Sequence, residues 1–202
     1  VSGANMSAPH SHGTAQPTLP KHEFLAGRIA LDFCNSLSPA RRVSLHDRMQ
    51  TPADFAAWAR RAGLAIGSAP RPQALARLRR LRAALIAIFH AIADRRAPRQ
   101  SDLALLNAEL SEARAAERLV SAADGYAMED AAPDAVARLR HRIARDAADL
   151  LTGDPRRLKR CPAHDCLWLF HDSSKNLSRR WCAMDDCGTR SKVRRYRARA
   201  ST

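Results

Sequence analysis

The sequence predicts a mainly α protein in two parts: an alanine-rich helical N-terminal domain with a small β-hairpin, then a C-terminal treble-clef-like module built on four cysteines. Aliphatic residues and alanine dominate the 46% apolar fraction, and aromatics make up only 5%, a balance that favours helix packing over a sheet sandwich. Apolar residues step by three or four along much of residues 24–153, the period of amphipathic helices. Four of the five cysteines stand in two matched pairs near the C-terminal end. A chain of 202 residues accommodates one medium domain and a small second module.

Residues 1–22 mix Ser, Gly, Ala, Pro and His without apolar period, so they are expected to be a disordered leader and not a secretory signal. His10, His12 and His22 are too loosely placed to argue for metal. The helical domain is expected over 23–153. Its first helix spans Phe24–Leu37, with Ile29, Phe33, Cys34 and Leu37 on one face. Asp32 and Asn35 lie beside that face, as buried anchors of a loop or as ligand contacts. Cys34, with no cation nearer in sequence than Arg28, reads as a small core residue.

Thr51, Pro52 and Asp54 open a second helix, with Phe55, Trp58 and Ala62 inward and Gly63 at its end. The longest helix is expected from Gln73 to Arg96, carrying Leu75, Leu78, Leu81, Leu85, Ile88 and Ile92. Ser101 is the expected cap of a helix with Leu103, Leu106 and Leu110 inside. Asp124-Gly125 predicts a hairpin within Leu119–Glu129. Pro133 reopens helix, with Val136, Leu139, Ile143 and Leu150 facing inward until Gly153, and Asp154-Pro155 breaks it. No apolar run approaches the roughly 20 residues of a bilayer span.

Net charge is +14. Residues 156–202 hold 13 Lys and Arg against four Asp, whereas the other 155 residues hold 21 against 16. Arginine-rich faces are often only solvated surface, but this surplus is uneven and predicts a polyanionic partner, nucleic acid before membrane surface. No G-x-x-x-x-G-K, G-x-G-x-x-G, H-E-x-x-H or G-x-S-x-G motif occurs, and nothing nominates a catalytic group. An enzyme is not expected.

Cys161 and Cys166 enclose four residues, fifteen follow, and Cys182 and Cys187 enclose four more. Two C-x4-C turns supply the four soft ligands of a tetrahedral zinc ion, leaving no open position for catalysis. Two disulfides or an iron-sulfur cluster are the alternatives. His164 and His171 lie close enough in sequence to replace a thiolate, or are ordinary loop and strand residues. Leu167–Phe170 reads as a strand, residues 172–176 as a turn, and Arg179, Arg180 and Trp181 as the returning strand. From Asp185 a helix is expected to carry Arg190, Lys192, Arg194, Arg195, Tyr196, Arg197 and Arg199. These, with Arg179 and Arg180, are the candidate nucleic-acid contacts, Arg190 and Lys192 at the helix start being the candidate base readers. Trp168 reads as core, Trp181 as core or a stacking platform, and Tyr196 as a contact surface. So small a module buries too little to fold without metal, and serine at Cys166 or Cys187 is expected to melt it alone.

The run C-x4-C-LWLF-x-D-x-S-x-N-x3-R-W-C-x4-C-G-T-R-x-K-x2-R-Y-R resembles the CGNR zinc finger, whose tetrad here reads Cys187-Gly188-Thr189-Arg190. Ile29–Leu37 resembles the opening of the ABATE domain. The resemblance implies a bacterial cytoplasmic protein, a stress-induced transcriptional regulator, whose finger takes one structural zinc on Cys161, Cys166, Cys182 and Cys187 and binds nucleic acid. Thr189 replaces the tetrad's usual Asn. DNA contact through the basic helix is the expected function. RNA or single-strand binding, and a zinc-stabilised protein-interaction module, are the alternatives. The helical domain is the candidate for sensing or for homodimer formation.

Overall fold

Helix α1 (Ile29–Asn35) is half the expected length, because Phe24 and Gly27 turn the chain at φ 66° and 80° ahead of it. The computed structural model of the chain describes residues 24–40, 44–64, 66–163 and 166–200. The expected leader, with His10, His12 and His22, lies outside the described residues, as does His164. No side chain of Arg28 caps α1. Asp146, from a later helix, accepts from the Ala30 N–H at 2.9 Å and from Arg28 Nε at 2.6 Å, so a carboxylate sits at the positive helix end. Asp32 accepts from the Ala26 N–H at 3.0 Å and ties down the entering loop, the expected anchor.

Strands β1 (Leu37–Ala40) and β2 (Ser44–Asp47) form an antiparallel pair that hydrophobic period did not predict. Buried Arg82 pins its base, donating to Asp47 Oδ2 at 2.6 Å and Ser36 Oγ at 2.8 Å. Helix α2 (Pro52–Arg61) starts in a full capping box between Thr51 and Asp54, and Gly63 turns the chain away from it at φ 71°. Helix α3 (Pro72–Ala93) is the central column and packs against α1, α4 (Gln100–Ala115) and α5 (Ala135–Thr152). Ser101 is not the cap of α4: it lies inside the first turn, and the residue at the cap, Arg99, makes no capping bond. Strands β3 (Glu117–Ala122) and β4 (Gly125–Asp130) form the expected hairpin, with Leu119 opposite Met128. Asp134 caps α5 by accepting from the Ala137 N–H at 2.8 Å.

The core gathers Phe33, Phe55, Leu78, Leu81, Leu85, Ile88 and Ile143 around fully buried Trp58, whose ring lies 5.7 Å from Phe24 and Phe33. Cys34 belongs to it. Burial pushes its thiol well above the ordinary range, so it is a core residue and not a nucleophile.

A 3-10 turn (Pro155–Arg157) leads into β5 (Leu158–Arg160), antiparallel to β6 (Leu169–His171). The hairpin therefore encloses the first cysteine pair. The expected return strand over 179–181 does not form, because β5 takes one edge of β6 while Asn35 and Ala26 O take the backbone groups of Leu169 and His171 on the other. A π-helical turn (Met184–Gly188) then runs into α6 (Thr189–Ala200).

Strand β6 faces two ways. Leu169, with Leu158, is buried in the helical core, while the next residue, Phe170, is buried among the cysteines. Asn35 clamps this strand from α1, donating Nδ2 to Leu169 O at 2.8 Å and accepting from the Leu169 N–H at 2.9 Å. The His171 N–H donates to Ala26 O at 2.8 Å. The two parts thus share a core, which replaces the expectation that the cysteine module melts alone.

Candidate metal centre

Two turns of unlike kind bring the four cysteines together. Cys161 and Cys166 come from the tip of the β5–β6 hairpin. Cys182 follows an extended loop, and Cys187 sits in the π-helical turn. Their sulfurs all lie within 4.8 Å of one another. Cys166 Sγ is 3.7 Å from Cys182 Sγ, which is 3.6 Å from Cys187 Sγ. A tetrahedron of thiolates at about 2.3 Å from zinc has edges of about 3.8 Å, whereas a disulfide requires about 2.05 Å. All four cysteines are free. Disulfides are excluded by distance, and the spacing fits zinc.

The electrostatics fit as well. Hydrogen bonds with Cys166, Cys182 and Cys187 draw the Cys161 thiol strongly down, and those with Cys161, Cys166 and Cys187 push the Cys182 thiol strongly up. Four anions cannot share this space without a cation. Arg190 Nη2 donates to Cys187 Sγ at 3.1 Å, while its Nε donates to Asp186 at 2.7 Å.

The tetrad residues each have a local reason. A Cβ at Gly188 would stand 2.5 Å from Met184 Sδ and 3.2 Å from Trp181 Cδ1, so a side chain there would push aside the exposed end of Met184 and press on the Trp181 ring. Thr189 Oγ1 donates to Met184 O at 3.1 Å and secures the turn that carries Cys187.

Residues 157–200 match the CGNR zinc finger, and residues 27–154 match the ABATE family, described as "Putative stress-induced transcription regulator". The second match covers more than half of the chain. The chain belongs to the ABATE family. Its CGNR finger, with four thiols arranged for a metal ion, holds one structural zinc. No curated protein matches the sequence. No helix among the described residues is long and apolar enough to cross a membrane.

The CGNR finger is braced by residues that spacing alone did not single out. Buried Asp172 accepts from Lys159 Nζ and Ser174 Oγ, both at 2.6 Å. Burial works against its charge, but Lys159 and Ser174 hold the carboxyl well below the usual range. Lys159 also donates to Leu177 O at 2.6 Å and Arg179 O at 3.1 Å, fixing the loop that returns to Cys182. The D-x-S spacing was the visible signal; the lysine arrives from β5.

Arg179 is not a surface cation. It donates to Leu25 O at 2.8 Å, Cys182 O at 2.7 Å, His171 O and Trp181 O, with its guanidinium 4.6 Å from the Phe170 ring centre. It locks the finger to the start of the ABATE domain. Arg190 serves the cage in the same manner and is withdrawn from base reading. Arg180 is exposed and lies over Trp181 at 5.2 Å. Trp168, half-buried, packs on the cysteine cluster with Arg48 5.6 Å from its ring. Among the described residues, His171 is half-buried on β6 and is not in the sulfur cluster.

Lys192, Arg194, Arg195, Tyr196, Arg197 and Arg199 all stand exposed on α6. This helix has twelve residues, six of them basic and none acidic, and it buries none of them. Its extensive contacts are with the π-helical turn before it.

Proposed function

We propose that the protein is a transcriptional regulator that binds DNA through α6, with the zinc cage setting the helix's base and the ABATE domain holding the cage. One observation carries the reading: α6 presents a continuous cationic surface with no core side of its own. A helix that buries none of its residues gains little from folding alone. About 18 Å of such helix, at 1.5 Å per residue, suits a groove of duplex DNA. Arg194, Arg195, Arg197 and Arg199 supply phosphate contacts, and Lys192 is left as the base-edge candidate nearest the cage. The protein is read as a binder and not an enzyme, since four thiolates leave zinc no open position.

Salt-dependent titration of the zinc-loaded protein against a duplex tests this. Neutralising about six phosphates gives a log–log salt slope near about −5. Replacing Arg194, Arg195 and Arg197 together by alanine should reduce it by about 3 while leaving zinc content unchanged. A slope near zero in the wild type defeats the reading.

Tyr196, 76% exposed among arginines, supports a second reading, in which unpaired bases stack on it. Competition between duplex and single-stranded probes, with Tyr196→Ala, separates the two. No shift with any nucleic acid, together with retained zinc, would favour a protein-interaction module.

A further inference from the structure

Between the ABATE domain and the finger, away from α6, lies a space whose outer part reaches Cys161 and Cys166 at the edge of the zinc cage. Its inner part is a slot of about 460 Å³ floored by Cys34, Ile86 and Ala87 and walled by Leu37, Leu167 and Leu169. That volume is in the range of about 300–1,000 Å³ typical of small-molecule sites, which favour domain junctions. One end is charged: Asp94 is held by Arg160 at 2.9 Å and by Arg96 at 3.3 Å, with His90 beside them. Burial and Arg160 lower the pKa of His90, so it adds no anion and little cation at neutral pH.

Asp94, Arg96, Arg160 and Leu167 also line an outer cleft of about 1,200 Å³. Among the described residues, the other charged side chains on that cleft are Arg95, Arg156, Lys159, Arg179 and Arg180, all cationic. Leu167, a large apolar side chain left 45% exposed, stands where slot and cleft meet. An apolar slot opening into a cation-lined cleft is the shape of a site for a molecule with an apolar tail and an anionic head.

We propose that this trough binds a small amphipathic anion, a medium-length acyl or alkyl chain ending in a phosphate or carboxylate. The tail lies between Ile86 and Leu167. The head meets Arg160 and Arg96, replacing the carboxylate of Asp94 as their partner. One wall belongs to α3 of the ABATE domain and the other to β6 of the finger, so a bound molecule bridges the two parts. Binding needs no nucleic acid, and the proposal stands or falls separately from the DNA reading.

Isothermal titration of the zinc-loaded full chain with octyl phosphate, octanol and inorganic phosphate tests it. Octyl phosphate should bind with one equivalent, at least ten-fold more tightly than either half-molecule. Ile86→Trp, which fills the slot, should weaken it at least ten-fold. Leu167→Trp, at the exposed mouth, serves the same purpose should Ile86→Trp fail to fold as judged by zinc content and circular dichroism. Arg160→Gln should weaken octyl phosphate about ten-fold and leave octanol unchanged. Binding no tighter than that of inorganic phosphate, or unchanged affinity in a folded slot-filling variant, overturns the proposal.

Discussion

Helices α5 and α6 are both arginine-rich, yet the protein uses arginine in opposite ways in them. On α5, Arg140 is buried between Glu109 at 2.6 Å and Glu112 at 2.8 Å, while Arg145 reaches Asp130 at 2.7 Å and Glu117 at 3.2 Å. Ala137, Leu139, Ile143, Ala144, Ala147 and Leu150 face the core on the same helix. On α6 no residue is buried and none is acidic, and Arg190, at its cage end, pairs with Asp186 at 2.7 Å. The difference is supplied by neighbours and not by arginine content. Acidic residues from α4 and the β3–β4 hairpin stand opposite α5, whereas α6 has no acidic residue of its own.

The largest expected effect breaks the seat of α6. Cys187→Ser or Cys166→Ser removes a ligand from a site whose zinc contributes on the order of 10 kcal/mol to folding. Because Leu158 and Leu169 sit in the helical core, the loss should lower the melting temperature of the whole chain and not of residues 156–202 alone. Metal analysis with calorimetry checks this, and one retained equivalent of zinc in both variants would refute the ligand assignment. Next comes the seat of α5. Glu109→Ala removes one of the two carboxylates shared by Arg140 and Arg77, whose Nε is 2.7 Å from it, and leaves both on Glu112. Urea unfolding should show a loss of about 3 kcal/mol, the low end for breaking a buried ion pair, because Glu112 still faces both arginines.

Smaller still is the joint between the two regions. Asn35→Ala leaves the Leu169 N–H and C=O without their partner, at about 1–3 kcal/mol for each buried group. Zinc should stay bound while hydrogen exchange at Leu169 accelerates. The acid partners of α5 also carry a pH signature. Burial would raise the Asp130 pKa, but bonds from Arg145 and His141 pull it below the ordinary value. A carboxyl depressed in the folded state stabilises fully above its unfolded pKa of about 4 and loses that contribution as pH falls through the folded value. Asp130→Asn should therefore be less stable than wild type at pH 6, with the difference shrinking below about pH 4.

The contrast between α5 and α6 was only half legible in the sequence. The cysteine pairs, the capping box at Thr51, the α3 stripe and the Asp124-Gly125 hairpin each rest on neighbouring residues, and local spacing reveals them. Asn35 was legible as an anchor but not its target, Leu169, because a bond across 134 residues leaves no periodic trace. The same limit hid the true pairing of β6, and Arg179 and Arg190 read as nucleic-acid contacts since carbonyls and sulfurs that accept from them carry no charge pattern. The basic character of α6 was fully visible because it lies in composition alone: six of its twelve residues are basic and none is acidic.

Single arginines on the two helices should therefore respond differently to replacement. Arg195 is exposed on α6 and Arg140 is enclosed on α5, so the same Arg→Ala change should read out in different experiments. Arg140→Ala leaves Glu109 buried with one partner fewer and should cost stability at any salt concentration. Arg195→Ala removes no packing, and its effect on unfolding should stay within about 0.5 kcal/mol. Its effect should appear on DNA instead, as a salt slope shallower by about 0.9, one released counterion. If Arg195→Ala destabilises the free protein as strongly as Arg140→Ala does, α6 has a packing role in the folded chain, and its cations are not held in reserve for a polyanion.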